Sequence, residues 1–132
     1  MRNLGRAYML TALFWLLAGM ALGLWMGATN AMQYRPLHIT MMMLGFALLA
    51  IYGAIFRLWP QLEMARLATP QFWLSTVGVL LMNVGTLIQV LGGSIMIDGT
   101  GAALVFGGAI VLVFLFLTNA FKPLSELGHR LA

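Results

Sequence analysis

No cysteine occurs in the 132 residues. Disulfides, zinc–thiolate sites, iron–sulfur clusters and covalent c-type heme attachment are therefore excluded. Charge is nearly as scarce. Only 8% of the residues are Asp, Glu, Lys or Arg, against about 25% in an ordinary soluble domain. There is no carboxylate pair, no nucleophile motif and no Gly-rich phosphate loop, so standard hydrolase or ATPase chemistry has nothing to stand on.

What fills the chain instead is apolar: 62% of it is hydrophobic. A chain this short has no soluble core that could bury so much apolar surface, so a lipid bilayer is its solvent. Four apolar runs stand out, Tyr8–Ala28, His38–Trp59, Gln71–Gly93 and Gly101–Phe121. Each holds about 20 residues, which at about 1.5 Å per residue crosses about 30 Å of hydrocarbon. The first is too long for a signal peptide and reads as a retained helix. The connectors are short, with Pro60 and Pro70 bounding the second and Gly92-Gly93 opening the third. Short connectors force antiparallel neighbours. The expected fold is all-α, a single transmembrane domain over residues 1–132 built as an up-down four-helix bundle.

The net charge of +4 comes from seven Lys and Arg set singly at segment ends. That is a topology signal and not a nucleic-acid surface. Arg2, Arg6, Arg57, Arg66, Lys122 and Arg130 fall on one side of the bundle and Arg35 alone on the other. The positive-inside rule then places both termini in the cytoplasm and the start of the second helix at the outer face. Tyr8, Trp15, Trp25, Tyr34, Trp59 and Trp73 read mostly as interfacial anchors. Beyond the fourth span, Leu124, Leu127 and Leu131 suggest an amphipathic turn on the membrane, carrying His129 with Glu126 and Arg130.

His38 is the one ionisable side chain at the head of the second run, and a titratable group there calls for a partner or a job. An interfacial, wetted histidine is the plain reading; proton handling, metal ligation and heme ligation are the functional ones. Met41, Met42 and Met43 point around the helix and not to one face, so they read as flexible apolar filler and not as a copper site. Gly19, Gly23 and Gly27 form two overlapping GxxxG units on one face of the first span. That face packs either within the monomer or at a homo-oligomer seam. Asn83 and Thr86 share a polar face of the third span, read either as hydrogen bonding between helices or as a path for protons or a small solute. Asp98 reads as a loop residue able to pair with Arg35, and Glu63 with Arg66 as solvated surface charge.

The stretch HITMMMLGFALLAIYGAIFRLWP, from His38 to Pro60, resembles a helix near the C-terminal end of heme-copper oxidase subunit I, in the nitric oxide reductase-like and related bacterial branches. The matching positions are His38, Gly45, Tyr52-Gly53 and Trp59-Pro60. QFWLSTVGVLLMNVG, from Gln71, is similar in style to the next helix of that family. There an H-x-H pair near the outer face opens the helix, one histidine for each of two hemes. The resemblance implies that His38 stands at the high-spin heme position, while Thr40 stands where the second ligand should be. The histidines for the family's second metal are also missing, so the chain alone is no oxygen or nitric oxide reductase. The implied role is accessory: a b-type heme-binding protein or respiratory-complex subunit, with His38 as axial ligand to heme iron. The second ligand would come from another copy or a partner. A non-catalytic structural or oligomerising protein, and a small-solute transporter or channel, stay open beside it.

Overall fold

The computed structural model describes residues 3–123. The readings of Arg2 and of the tail with Leu124, Leu127, Leu131 and His129 lie outside the described residues. The described chain is all-helical, and four helices are long and apolar enough to cross a membrane: α1 Leu4–Thr29, α2 Met32–Leu58, α3 Ala68–Val90 and α4 Met96–Asn119.

Local chemistry sets the ends. Helix α1 stops at Asn30, whose φ of 55° is left-handed, a conformation that Asn tolerates because its short amide bonds locally. Helix α2 opens with a 3-10 turn, Met32–Tyr34, and then runs from Arg35 with Pro36 in its first turn, where a missing N–H costs nothing. It ends at Leu58, before Trp59, which leaves the helical region (φ −123°, ψ 76°) ahead of Pro60. Helix α3 ends where Gly92 takes a φ of +90°. The Gly93 N–H then donates to the Ile88 carbonyl at 2.8 Å.

Several boundaries differ from the hydropathy reading. The first span begins at Leu4, the second includes Arg35 to Leu37, and Pro70 lies inside α3. The fourth helix starts at Met96, so Asp98 belongs to its first turn and not to a loop. A carboxylate is welcome there because the first turn carries free N–H groups. One feature had no sequence signal: from Met41 to Leu48 helix α2 is wound as a π-helix.

The helices pack as two antiparallel pairs. In the α1–α2 pair, glycines let the backbones close. A Cβ on Gly45 would lie 2.6 Å from Cγ of Trp15, and one on Gly53 would lie 3.1 Å from the Gly5 carbonyl. The α3–α4 pair is closer still. A Cβ on Gly78 would meet the Val105 nitrogen at 2.8 Å, and one on Gly101 would meet the Met82 nitrogen at 2.5 Å. Between the pairs lies an aromatic core around Tyr8, fully buried, with ring centroids 4.8 Å from Phe72 and 5.6 Å from Tyr52 and Phe56. Tyr8 and Trp15 are thus core residues and not interfacial anchors. The outer faces stay apolar and open: Leu17, Leu24, Phe106 and Leu117 are each about 70% exposed, as residues facing lipid chains should be.

Candidate functional site

Antiparallel packing brings His38, in the first α-helical turn of α2, beside the far half of α1. Its Nδ1 lies 2.8 Å from the Gly19 carbonyl oxygen. A carbonyl can only accept, so Nδ1 carries the proton and donates. In the tautomer with its proton on Nδ1 the lone pair is on Nε2, and Nε2 has no hydrogen-bond partner among the described residues. The side chain is half-buried. What makes room for it is Gly23, where a Cβ would sit 2.9 Å from Cε1 of His38. Gly19 does the same for Met42, with a Cβ position 2.6 Å from its Sδ. Gly19 and Gly23 therefore face α2 of their own chain, while Gly27 has nothing within 4 Å.

The polar residues of α3 fall into separate groups. Asn83 is buried; its Nδ2 donates to the Val79 carbonyl at 3.0 Å, and its Oδ1 has no partner. The Thr86 hydroxyl donates to the Met82 carbonyl at 2.8 Å. Both side chains thus bond within their own helix. Asp98 does not pair with Arg35; its Oδ2 accepts from Gln89 Nε2 at 2.7 Å. Glu63 is no free surface charge either. Its Oε1 accepts the Gly5 N–H at 2.8 Å, so the α2–α3 connection caps the N-terminus of α1.

One polar cluster escaped the sequence reading. The Tyr8 hydroxyl donates to Gln71 Oε1 at 2.6 Å. Gln71 Nε2 donates onward to Ser75 Oγ at 3.1 Å and to the Gly108 carbonyl at 3.2 Å. Tyr8, Gln71 and Ser75 are all fully buried, so this network ties α1, α3 and α4 together. Gln71 reads in the sequence as the polar first residue of a span. The available signal was its i, i+4 relation to Ser75, which puts both on one face.

Among the described residues no group of three or more His, Cys, Asp or Glu could hold a metal ion. His38 is thus a single donor and not part of a preformed cage. Searches of protein-family models, curated proteins and solved structures return no match to this chain. Fold and site define it by class alone: a four-helix membrane bundle with one histidine seated between its first two helices.

Proposed function

We propose that this chain is an accessory protein of a bacterial inner membrane, with both termini cytoplasmic, that presents His38 as a single axial ligand to a b-type heme. The state of the imidazole carries this reading. A ligating histidine commonly donates its other ring N–H to a carbonyl, which fixes the ring and raises its basicity. His38 makes that bond to Gly19 and keeps Nε2 without a partner. The donor fits heme iron, and the likeness of His38–Pro60 to the oxidase helix points the same way. Bound heme would supply electron transfer; the chain supplies orientation of the ring through Gly19 and access to it through Gly23. A second copy or a respiratory partner would supply a further ligand.

The test is an absorption spectrum of the purified protein, as isolated and after adding hemin. Wild type is expected to show a Soret band that both His38→Ala and His38→Asn lose. Asn places an amide N–H near the Nδ1 position, so it retains the bond to Gly19 while deleting Nε2. A wild type without a Soret band, or an Asn variant that keeps it, defeats the heme reading.

A structural role is the second reading, and the seat of the ring favours it: His38 already joins α1 to α2 by a hydrogen bond over bare glycine backbone. That role predicts loss of thermal stability in His38→Ala, partial rescue in His38→Asn, and no spectrum in any form. A solute path along Asn83 and Thr86 gains no such support, because both donate within their own helix.

A further inference from the structure

A cleft of about 300 Å³ opens between α1 and α2 at the bundle end opposite His38, lined by Asn3, Gly5, Arg6, Met9, Leu10 and Arg57. Two arginines line it, and neither forms an ion pair with a described carboxylate. Among the described residues Glu63 reaches this end of α1, and its Oε1 accepts the Gly5 N–H. Arg57 is held in place by its stem. A Cβ on Gly5 would lie 3.0 Å from Arg57 Cγ and 3.1 Å from its Cδ, so the aliphatic part lies on the α1 backbone while the residue as a whole stays exposed. That is a snorkelling arginine with its charge at the membrane surface. Arg6 is exposed beside it.

The floor of the cleft is apolar and continuous with the lipid-facing side of α1. Leu10 is 58% exposed, and Leu13, Phe14 and Leu17 continue that open surface toward the bilayer centre. Two cations with no partner among the described carboxylates, set over an apolar track, suit a phosphate at headgroup depth with acyl chains below it. Arginine suits the phosphate because its fork donates two parallel hydrogen bonds.

We propose that this cleft is a binding site for an anionic diacyl phospholipid, its phosphate held between Arg6 and Arg57 and one acyl chain lying along Met9 and Leu10. The site rests on the membrane setting and not on the role of His38. Headgroup charge separates it from the annular shell of lipid, which takes zwitterionic and anionic lipids alike.

Native mass spectrometry of the detergent-solubilised protein, titrated with phosphatidylglycerol or with phosphatidylcholine, tests it. Wild type is expected to retain one phosphatidylglycerol at least about fivefold more tightly than phosphatidylcholine, a ratio worth about 1 kcal/mol. Arg6→Gln combined with Arg57→Met removes both charges and keeps the stem on Gly5, and should abolish that preference. Arg66→Gln, on the α2–α3 connection, should leave it intact. Equal retention of the two lipids by wild type overturns the proposal. So does a double variant that still prefers phosphatidylglycerol. Displacement of the lipid by millimolar inorganic phosphate overturns it as well, since a free anion would then be the ligand. Far-ultraviolet circular dichroism of the double variant checks that helix content is unchanged; should it unfold, Arg6→Gln alone is expected to halve the preference or more, and an unaltered preference counts against the site.

Discussion

Two side chains show what a single residue does in this bundle. Tyr8 has its hydroxyl in a fully buried network, and Gln71 satisfies three partners at once. In a lipid-surrounded core an unpaired amide has no water to fall back on. Tyr8→Phe removes one hydroxyl and orphans Gln71 Oε1, so it should cost about 1–2 kcal/mol. A lowered thermal midpoint in detergent checks this, and Tyr52→Phe serves as control, because its hydroxyl has no hydrogen bond among the described residues. His38 behaves differently. Its ring is gripped on one side only, so His38→Ala should cost about 1 kcal/mol, the value of one partly buried hydrogen bond, with His38→Asn recovering about half. The sequence made His38 legible as an oddity, because it is a lone titratable group heading an apolar run. It could not show the Gly19 carbonyl as the partner, since that contact depends on the register of two helices. Tyr8 was illegible for a related reason: a tyrosine near a helix end usually marks an interface, and only tertiary packing places Phe72, Tyr52 and Phe56 around it.

At the scale of the helix, glycine spacing decides which surfaces meet. Gly78 and Gly85 on α3 stand seven apart, as do Gly101 and Gly108 on α4. A sevenfold repeat keeps one seam of a helix facing its neighbour over two turns. The seam is too tight for any larger residue: a Cβ on Gly85 would lie 2.3 Å from the Asp98 nitrogen. That obstacle is backbone and has nowhere to move. Gly85→Leu should therefore destabilise the fold by about 3 kcal/mol or more, through overpacking. Gly27→Leu, with nothing within 4 Å of its Cβ position, should shift the denaturation midpoint by no more than about 0.5 kcal/mol. A loss of self-association in Gly27→Leu without loss of folding would mark that end of α1 as an oligomer seam; Gly23 is unsuited to that test because its face holds His38. The sequence signalled close packing on every helix but not which glycines pair. The π-wound stretch Met41–Leu48 was likewise invisible, because its residues suit an α-helix equally well. Its wider winding begins one residue past Thr40, in the same helix as His38, and π-segments recur at functional sites.

Taken whole, the molecule has two unlike ends. One holds the caps and the cations: Glu63 on the N-terminus of α1, the Arg6–Arg57 cleft, Arg66 and Lys122. The other holds His38, Arg35 and the Gly92 turn. The four-helix architecture was readable from apolar run length alone, because about 30 Å of hydrocarbon admits little else. Orientation is a separate matter, set by charge acting during insertion and not by packing. The absence of cysteine makes it directly measurable, since single-cysteine variants carry no background. Gln33→Cys and Ser94→Cys sit at the His38 end, Asn3→Cys and Leu67→Cys at the other, all at exposed positions. In intact bacterial spheroplasts an impermeant maleimide should label the first pair at once and the second only after permeabilisation. A reversed pattern would move His38 to the cytoplasmic side, away from the outer-face position of the oxidase histidines, and would remove the topological support for heme ligation. It would leave the lipid cleft standing on the opposite leaflet. A mixed pattern within either pair would be incompatible with the antiparallel bundle itself, because the Gly5 to Glu63 bond requires the N-terminus and the α2–α3 connection to share one side.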